Sequence, residues 1–292
     1  MKNFKKLALM GLTAVMSLSL LTACGGGTTG NAETPVGNSE TPAAENSETP
    51  AATGEFTTVE EGKLIMSTNA QFPPYEMVGD GEGYEGTGYE GIDVEIAYAI
   101  AQKLGLELVV DNMGFDASLQ AVQTGKSDIV MAGVTVTDDR LEVMDFSDTY
   151  ANGIQVVIVP EDSEITTIED LDGKLIGCQM GTTGYIYCSD TPENGGYGED
   201  AVIPYDDGAA AIQALLNGQV DCVVIDNAPA QEYVKANPGL KILDTEFANE
   251  NYAIGFAKGN TALKDAVNNA LSELIEDGTV QSIIDKYIPA EG

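Results

Sequence analysis

From about residue 62 onward, short runs of consecutive apolar residues alternate with stretches where they recur every three or four positions. The first pattern predicts buried strands and the second predicts helices with one buried face. KLIMST (63–68) reads as a strand. From Asp93, the residues Val94, Ile96, Ala97, Ile100, Ala101 and Leu104 repeat at helical spacing, and Gly105 stops the run. LELVV (106–110) is again a strand. Asp116 stands where an N-cap would, ahead of a helix with Leu119 and Val122 on its inner face. DIVMAG (128–133) is a third strand. This βαβαβ order predicts a parallel sheet covered by helices.

A second set begins near Ile154. GIQVVIV is a strand, IEDLDGK a helical turn and LIGCQ another strand. GAAAIQALLNG (208–218) predicts a helix, CVVID a strand, NAPAQEYVKAN a helix and YAIGFAK (252–258) a strand. Two amphipathic helices follow, from about Thr261 and Thr279. The expected fold class is α/β, in two lobes of comparable size rather than one continuous sheet. Each lobe would hold a mixed, mostly parallel sheet flanked by helices. In open α/β sheets a ligand sits at the carboxyl ends of the strands, so two facing lobes would enclose it.

The N-terminus reads differently. Lys2, Lys5 and Lys6 precede an apolar run, Leu7 to Leu20, that is short for a membrane span. LTAC, ending at Cys24, resembles the lipobox of bacterial lipoproteins. The resemblance implies a signal peptide over 1–23 and lipidation of Cys24. Residues 24–58 then carry Gly, Thr, Pro, Glu and an imperfect repeat, NSETPAAE and NSETPAAT. Little there could bury itself, so a disordered tether is expected. The protein should work outside the cytoplasm, anchored to the cell membrane through that lipid alone.

Charge narrows the function. The formal net charge is −34, which argues against nucleic acid as a partner. The chain has no histidine, so a His-ligated metal site and a Ser-His-Asp triad are excluded. No cofactor and no metal are expected. Besides Cys24 there are Cys178, Cys188 and Cys222, too few for a disulfide framework. Cys178 and Cys222 lie in apolar strands and read as buried small residues. Of the 13 basic residues Arg140 is the sole arginine. A chain that otherwise uses only lysine has reason to place one planar, forked donor where it does.

Eight segments, in order and spacing, carry a resemblance. They are STNAQFPPYEM, GYEGIDVEIAYAIAQKLG, FDASLQAVQTGKSDIVMAGVTVTDDR, MDFSDTY, IEDLDGKLIGCQMGTTG, VDCVVIDNAPA, YAIGFAKGN and ALSELIEDGTVQSIIDKY. Together they resemble the family 3 solute-binding proteins of amino-acid ABC importers. The resemblance implies the type II periplasmic-binding-protein fold. Lobe 1 would be 62–149 plus 253–292 and lobe 2 would be 154–247, joined near 150–153 and 248–252. It implies a monomer that captures a free L-amino acid and hands it to an ABC permease with its ATPase.

The same resemblance implies a site. Arg140 would hold the ligand's α-carboxylate through two parallel bonds, helped by Gly133 and Thr135 and, from the second lobe, by Thr182 and Thr183. Asp226 would accept from the α-ammonium, although it could equally cap the helix that follows. Phe72 and Phe115 would flank the ligand's side chain, with Gln179 on the opposite wall. Asn69 stands where relatives that take basic amino acids often have Asp, which points to a neutral polar or apolar ligand. Two other readings share the fold. A prephenate- or arogenate-type dehydratase would need an acid in the cleft, such as Asp226 or Glu76. A sensor would present its ligand to a receptor kinase.

Overall fold

The structure, a computed structural model, describes residues 56–289. The expected signal peptide, Cys24, all but the last residues of the tether, and residues 290–292 lie outside the described residues.

The first elements are β1 (Lys63–Thr68), β2 (Gln71–Phe72), β3 (Glu76–Val78), β4 (Tyr89–Glu90), α1 (Ile92–Leu104), β5 (Glu107–Asn112), α2 (Phe115–Gln123), β6 (Ile129–Val130) and α3 (Asp138–Val143). A long strand, β7 (Met144–Pro160), leads on to β8 (Ile176–Gln179), α4 (Thr183–Ser189), β9 (Val202–Tyr205), α5 (Gly208–Leu216), β10 (Cys222–Asp226), α6 (Asn227–Ala236) and β11 (Leu240–Ile242). A second long strand, β12 (Ala248–Ala257), precedes α7 (Thr261–Glu276) and α8 (Thr279–Tyr287).

The main sheet runs β5-β1-β6-β12-β7-β10-β8-β9, with β11 paired to β7. Two parallel triplets, β5-β1-β6 and β10-β8-β9, form its ends. Between them β7 and β12 pair antiparallel with each other and with their neighbours. The fold is therefore two-lobed, as expected. The hydrogen-bonded ladder nevertheless runs unbroken between the lobes, because the crossing segments are themselves strands. Residues 151–155 pair with 248–252 in that ladder.

Helix α1 shows how local sequence sets the architecture. Val94, Ile96, Ala97, Ile100 and Ala101 are wholly buried, each large aliphatic contributing about 1.5–3 kcal/mol. Gly105 ends the helix in the left-handed region at φ 69°, its N–H returning to the carbonyls of Ala101 and Gln102. Cys178, Cys188 and Cys222 are all buried free thiols in the core of the second half.

Several local expectations are corrected. Asp116 is not an N-cap: α2 starts at Phe115 with Gly114 in that position, and Asp116 falls in its first turn. Of DIVMAG only Ile129 and Val130 form a strand, because the chain must leave the sheet there to build a loop. Strand β7 starts ten residues before Ile154, and β12 four before Tyr252. Their polar segments, DFSDTYANG and ANEN, conceal the strands because each has its hydrogen bonds in the crossing ladder rather than in an apolar face.

Candidate functional site

One cavity lies where the strand ends of the two halves meet. It is lined by Asn69, Phe72, Glu76, Phe115, Ala132, Gly133, Thr135, Arg140, Gln179, Thr182, Thr183 and Asp226. All ten residues singled out from the sequence are among them. Asn69 follows β1, Gly133 and Thr135 follow β6, and Gln179 and Asp226 end β8 and β10. These are the carboxyl ends of parallel strands, where such sheets hold ligands.

Arg140 sits on α3, buried except for 8% of its surface. Its Nη1 donates to the Thr135 carbonyl at 2.8 Å and its Nη2 to the Gly181 carbonyl at 3.2 Å. The guanidinium carbon lies 5.5 Å from the Phe115 ring centroid, a cation–π contact. Burial pulls its pKa down from the ordinary value, and the charge of Glu250 is the largest opposing influence. Among the described residues no carboxylate pairs with it within 4 Å. A guanidinium has five N–H donors, so three are uncommitted.

The loop carrying Gly133 is held from behind by Asp93. The Gly133 N–H donates to Asp93 Oδ2 at 2.9 Å, and the Tyr150 hydroxyl donates to Oδ1 at 2.8 Å. Gly133 has φ +55°, and a β-carbon there would come within 2.9 Å of the Phe72 ring. Only glycine allows both the turn and the aromatic packed on it. Burial pushes Asp93 up to about 6 despite those two bonds.

Asp226 occupies the N-cap position of α6 but makes no capping bond with its side chain. Its carboxylate instead accepts from the Tyr252 hydroxyl and faces the cavity. Burial first, and the charge of Glu250 second, push its pKa well above the ordinary range. Thr182 caps α4: its hydroxyl accepts from the Tyr185 N–H at 3.4 Å and donates to the Gln179 carbonyl at 2.8 Å. Across the cavity, Gln179 Nε2 donates to Asn69 Oδ1 at 2.9 Å, while Asn69 Nδ2 donates to the Met113 carbonyl.

Two lining residues fall outside the expected ligand set, Ala132 and Glu76, the latter weighed from the sequence only as the acid of a dehydratase. Glu76 is wholly buried on β3, where no N–H or neutral hydroxyl donates to it and its protonated carboxyl shares its hydrogen with Asp93. Burial, then the charge of Asp93, hold its proton on well above the usual carboxylate range. An acid between Tyr75 and Met77, one residue beyond two prolines, was the available signal.

The sequence profile of the bacterial extracellular solute-binding proteins, family 3, matches residues 64–290. The chain belongs to that family. Its relatives include a "Probable histidine-binding protein" of Neisseria gonorrhoeae, 34% identical over 79% of this chain and 85% of that one. Among solved structures, the arginine-, lysine-, histidine-binding protein ArtJ of Geobacillus stearothermophilus is 34% identical with a TM-score of 0.70, over 79% of this chain and 96% of ArtJ. An ancestral arginine-binding protein bound to glutamine is 38% identical with a TM-score of 0.68, over 78% and 99% of the two chains. As a family member this is an extracytoplasmic solute-binding protein, of the kind that serves amino-acid ABC transporters.

Proposed function

We propose that the protein captures one free L-amino acid in this cavity and delivers it to an ABC importer, without turning it over. The observation that carries the reading is a pairing of opposites. The lone guanidinium, with three donors to spare, and a buried carboxylate from the other half line the same cavity. Arg140 takes the α-carboxylate with a charge-assisted fork, and Asp226 takes the α-ammonium. Thr135 and Thr183 complete the carboxylate end, and Gly133, its N–H committed to Asp93, shapes the loop beneath it. Thr182 shapes the wall, since its hydroxyl is committed to its own turn. Phe72 and Phe115 flank the ligand's aliphatic part.

In this reading the lobes are 62–149 plus 253–292 and 154–247, and they close around the ligand because only then do both halves touch it. The protein acts as a monomer tethered through a lipid on Cys24.

Glu76 sharpens the ligand class. The expectation of a neutral side chain rested on Asn69, which is amide-paired to Gln179. A buried acid in the lining, with no donor but the proton it shares with Asp93, favours a ligand side chain that ends in donors, cationic ahead of a neutral amide. A guanidinium or imidazolium arriving there would let Glu76 ionise. Relatives named for histidine, arginine and glutamine fit that order, while those named for cystine fall outside it.

A thermal-shift screen of the protein against the twenty amino acids tests this. A binder at 100 times its dissociation constant adds about 2.7 kcal/mol of stability. Arginine, lysine or histidine should give the largest response, with glutamine behind. A response only to sugars or metal ions would overturn the reading, and turnover of arogenate would replace it with the dehydratase alternative.

A further inference from the structure

Two residues of β12 organise both ends of the cavity without lining it. Glu250 and Tyr252 are two apart on one strand and so share a face. Both are buried. The Tyr252 hydroxyl donates to the Asp226 carboxylate. Glu250 Oε2 accepts from Thr135 Oγ1 at 2.9 Å and from Gln155 Nε2 at 3.1 Å. The same Gln155 amide reaches Thr183 Oγ1 at 3.5 Å. Cavity threonines from opposite halves are thus joined through one carboxylate on the crossing strand.

The backbone reinforces the link. The Ala253 N–H donates to the Val134 carbonyl and the Val136 N–H to the Asn251 carbonyl, both at 3.1 Å, and Thr135 bridges to Tyr252. The Thr135 carbonyl in turn holds Arg140. Glu250 Oε1 and Gln155 Oε1 are buried and make no hydrogen bond. No described lysine or arginine lies within 4 Å of Glu250. A buried carboxylate without a cationic partner is costly, and a purely structural role would be served by a neutral amide.

We propose that Glu250 is a positioning residue of the binding site, fixing Thr135 directly and Thr183 through Gln155, and that its charge sets how strongly Asp226 takes up the ligand's ammonium. The inference rests on the amino-acid reading above. Asp226 is faced by Glu250 and Tyr252 from β12, Gln155 from β7, Arg140 from α3, Tyr187 from α4, and Tyr75 and Glu76 at β3. Among these, Glu250 is the largest charge opposing ionisation of Asp226, while Arg140 and Gln155 favour it. Only the ionised form accepts well from an ammonium. The acid limb of ligand binding therefore reports the Glu250 charge.

The test is calorimetric titration with L-arginine, L-histidine and L-glutamine from pH 4.5 to 8.5, on the wild type, Glu250→Gln and Glu250→Ala. Glutamine keeps an acceptor for Thr135 and Gln155 but removes the charge. In Glu250→Gln the acid limb should move to lower pH. Glu250→Ala should bind about tenfold more weakly at pH 8, and Gln should recover most of that loss. An acid limb in Glu250→Gln that coincides with the wild type overturns the electrostatic part, and wild-type affinity in Glu250→Ala overturns the positioning part. A wild type that binds none of the twenty amino acids in the screen removes the amino-acid reading, and this inference with it.

Discussion

The two halves of the cavity are built unequally. The first supplies Asn69, Phe72, Glu76, Phe115, Gly133, Thr135 and Arg140, including the sole guanidinium and both flanking aromatics. The second supplies Gln179, Thr182, Thr183 and Asp226. Arg140 already has firm partners of its own, one of them the Gly181 carbonyl of the second half. Asp226 is held from the crossing strands, by Tyr252 of β12 and Gln155 of β7. On the proposed reading this is a division of labour: the first half holds the carboxylate and side chain, and the second adds the ammonium grip.

The largest effect should come from the first half. Arg140→Lys replaces a fork by a point charge, and at a buried charge pair that should cost about 2–3 kcal/mol, or roughly 30- to 150-fold in affinity. Titration calorimetry on a variant whose circular dichroism is unchanged measures it. Wild-type affinity there would take Arg140 out of the site.

Asp226→Asn should cost less, about 1.5–2 kcal/mol or roughly 10- to 30-fold, because the amide oxygen still accepts one bond. A loss larger than that of Arg140→Lys would reverse the ranking of the two halves.

Gly181→Ala tests closure. Gly181 has φ +76°, where any side chain is strained, and a β-carbon would also push aside the Asp116 carboxylate of the other half. The predicted outcome is a protein that stays extended in small-angle scattering with ligand present and binds roughly tenfold more weakly. Wild-type compaction on ligand addition would show that the two surfaces do not need to meet.

The smallest effect is in the free protein's response to pH. Asp93, raised to about 6, and Glu76 and Asp226, raised further, all bind protons more tightly when folded. For Asp93 that contribution is complete below about 3.8 and is lost as pH rises through about 6. The melting temperature should be roughly 5 °C higher at pH 5.5 than at pH 7.5. Glu76→Gln should flatten the dependence. A melting temperature that rises with pH would contradict the buried-acid account.

What could be read from the sequence divides along the same line as the cavity. Arg140 was legible because it is the sole arginine and ends a turn after a strand. Asp226 was legible because CVVID is apolar up to its last residue. Glu250 and Tyr252 were not, because ANEN carries no strand signal: its partners lie about a hundred residues away in β7, a separation no local pattern records. Glu76 was weighed only as a source of acid chemistry, since nothing in FPPYE tells which way the carboxyl faces. Asp116 was misread because Gly114, with no side chain to offer, holds the cap position instead.

The claim on which the rest stands is that a lone guanidinium reads a free α-carboxylate. The direct measurement is a calorimetric comparison, at neutral pH, of the best-binding amino acid from the screen with its α-carboxamide. The account predicts one-to-one binding of the acid and at least a hundredfold loss for the amide. An amide that binds as tightly as the acid would contradict it.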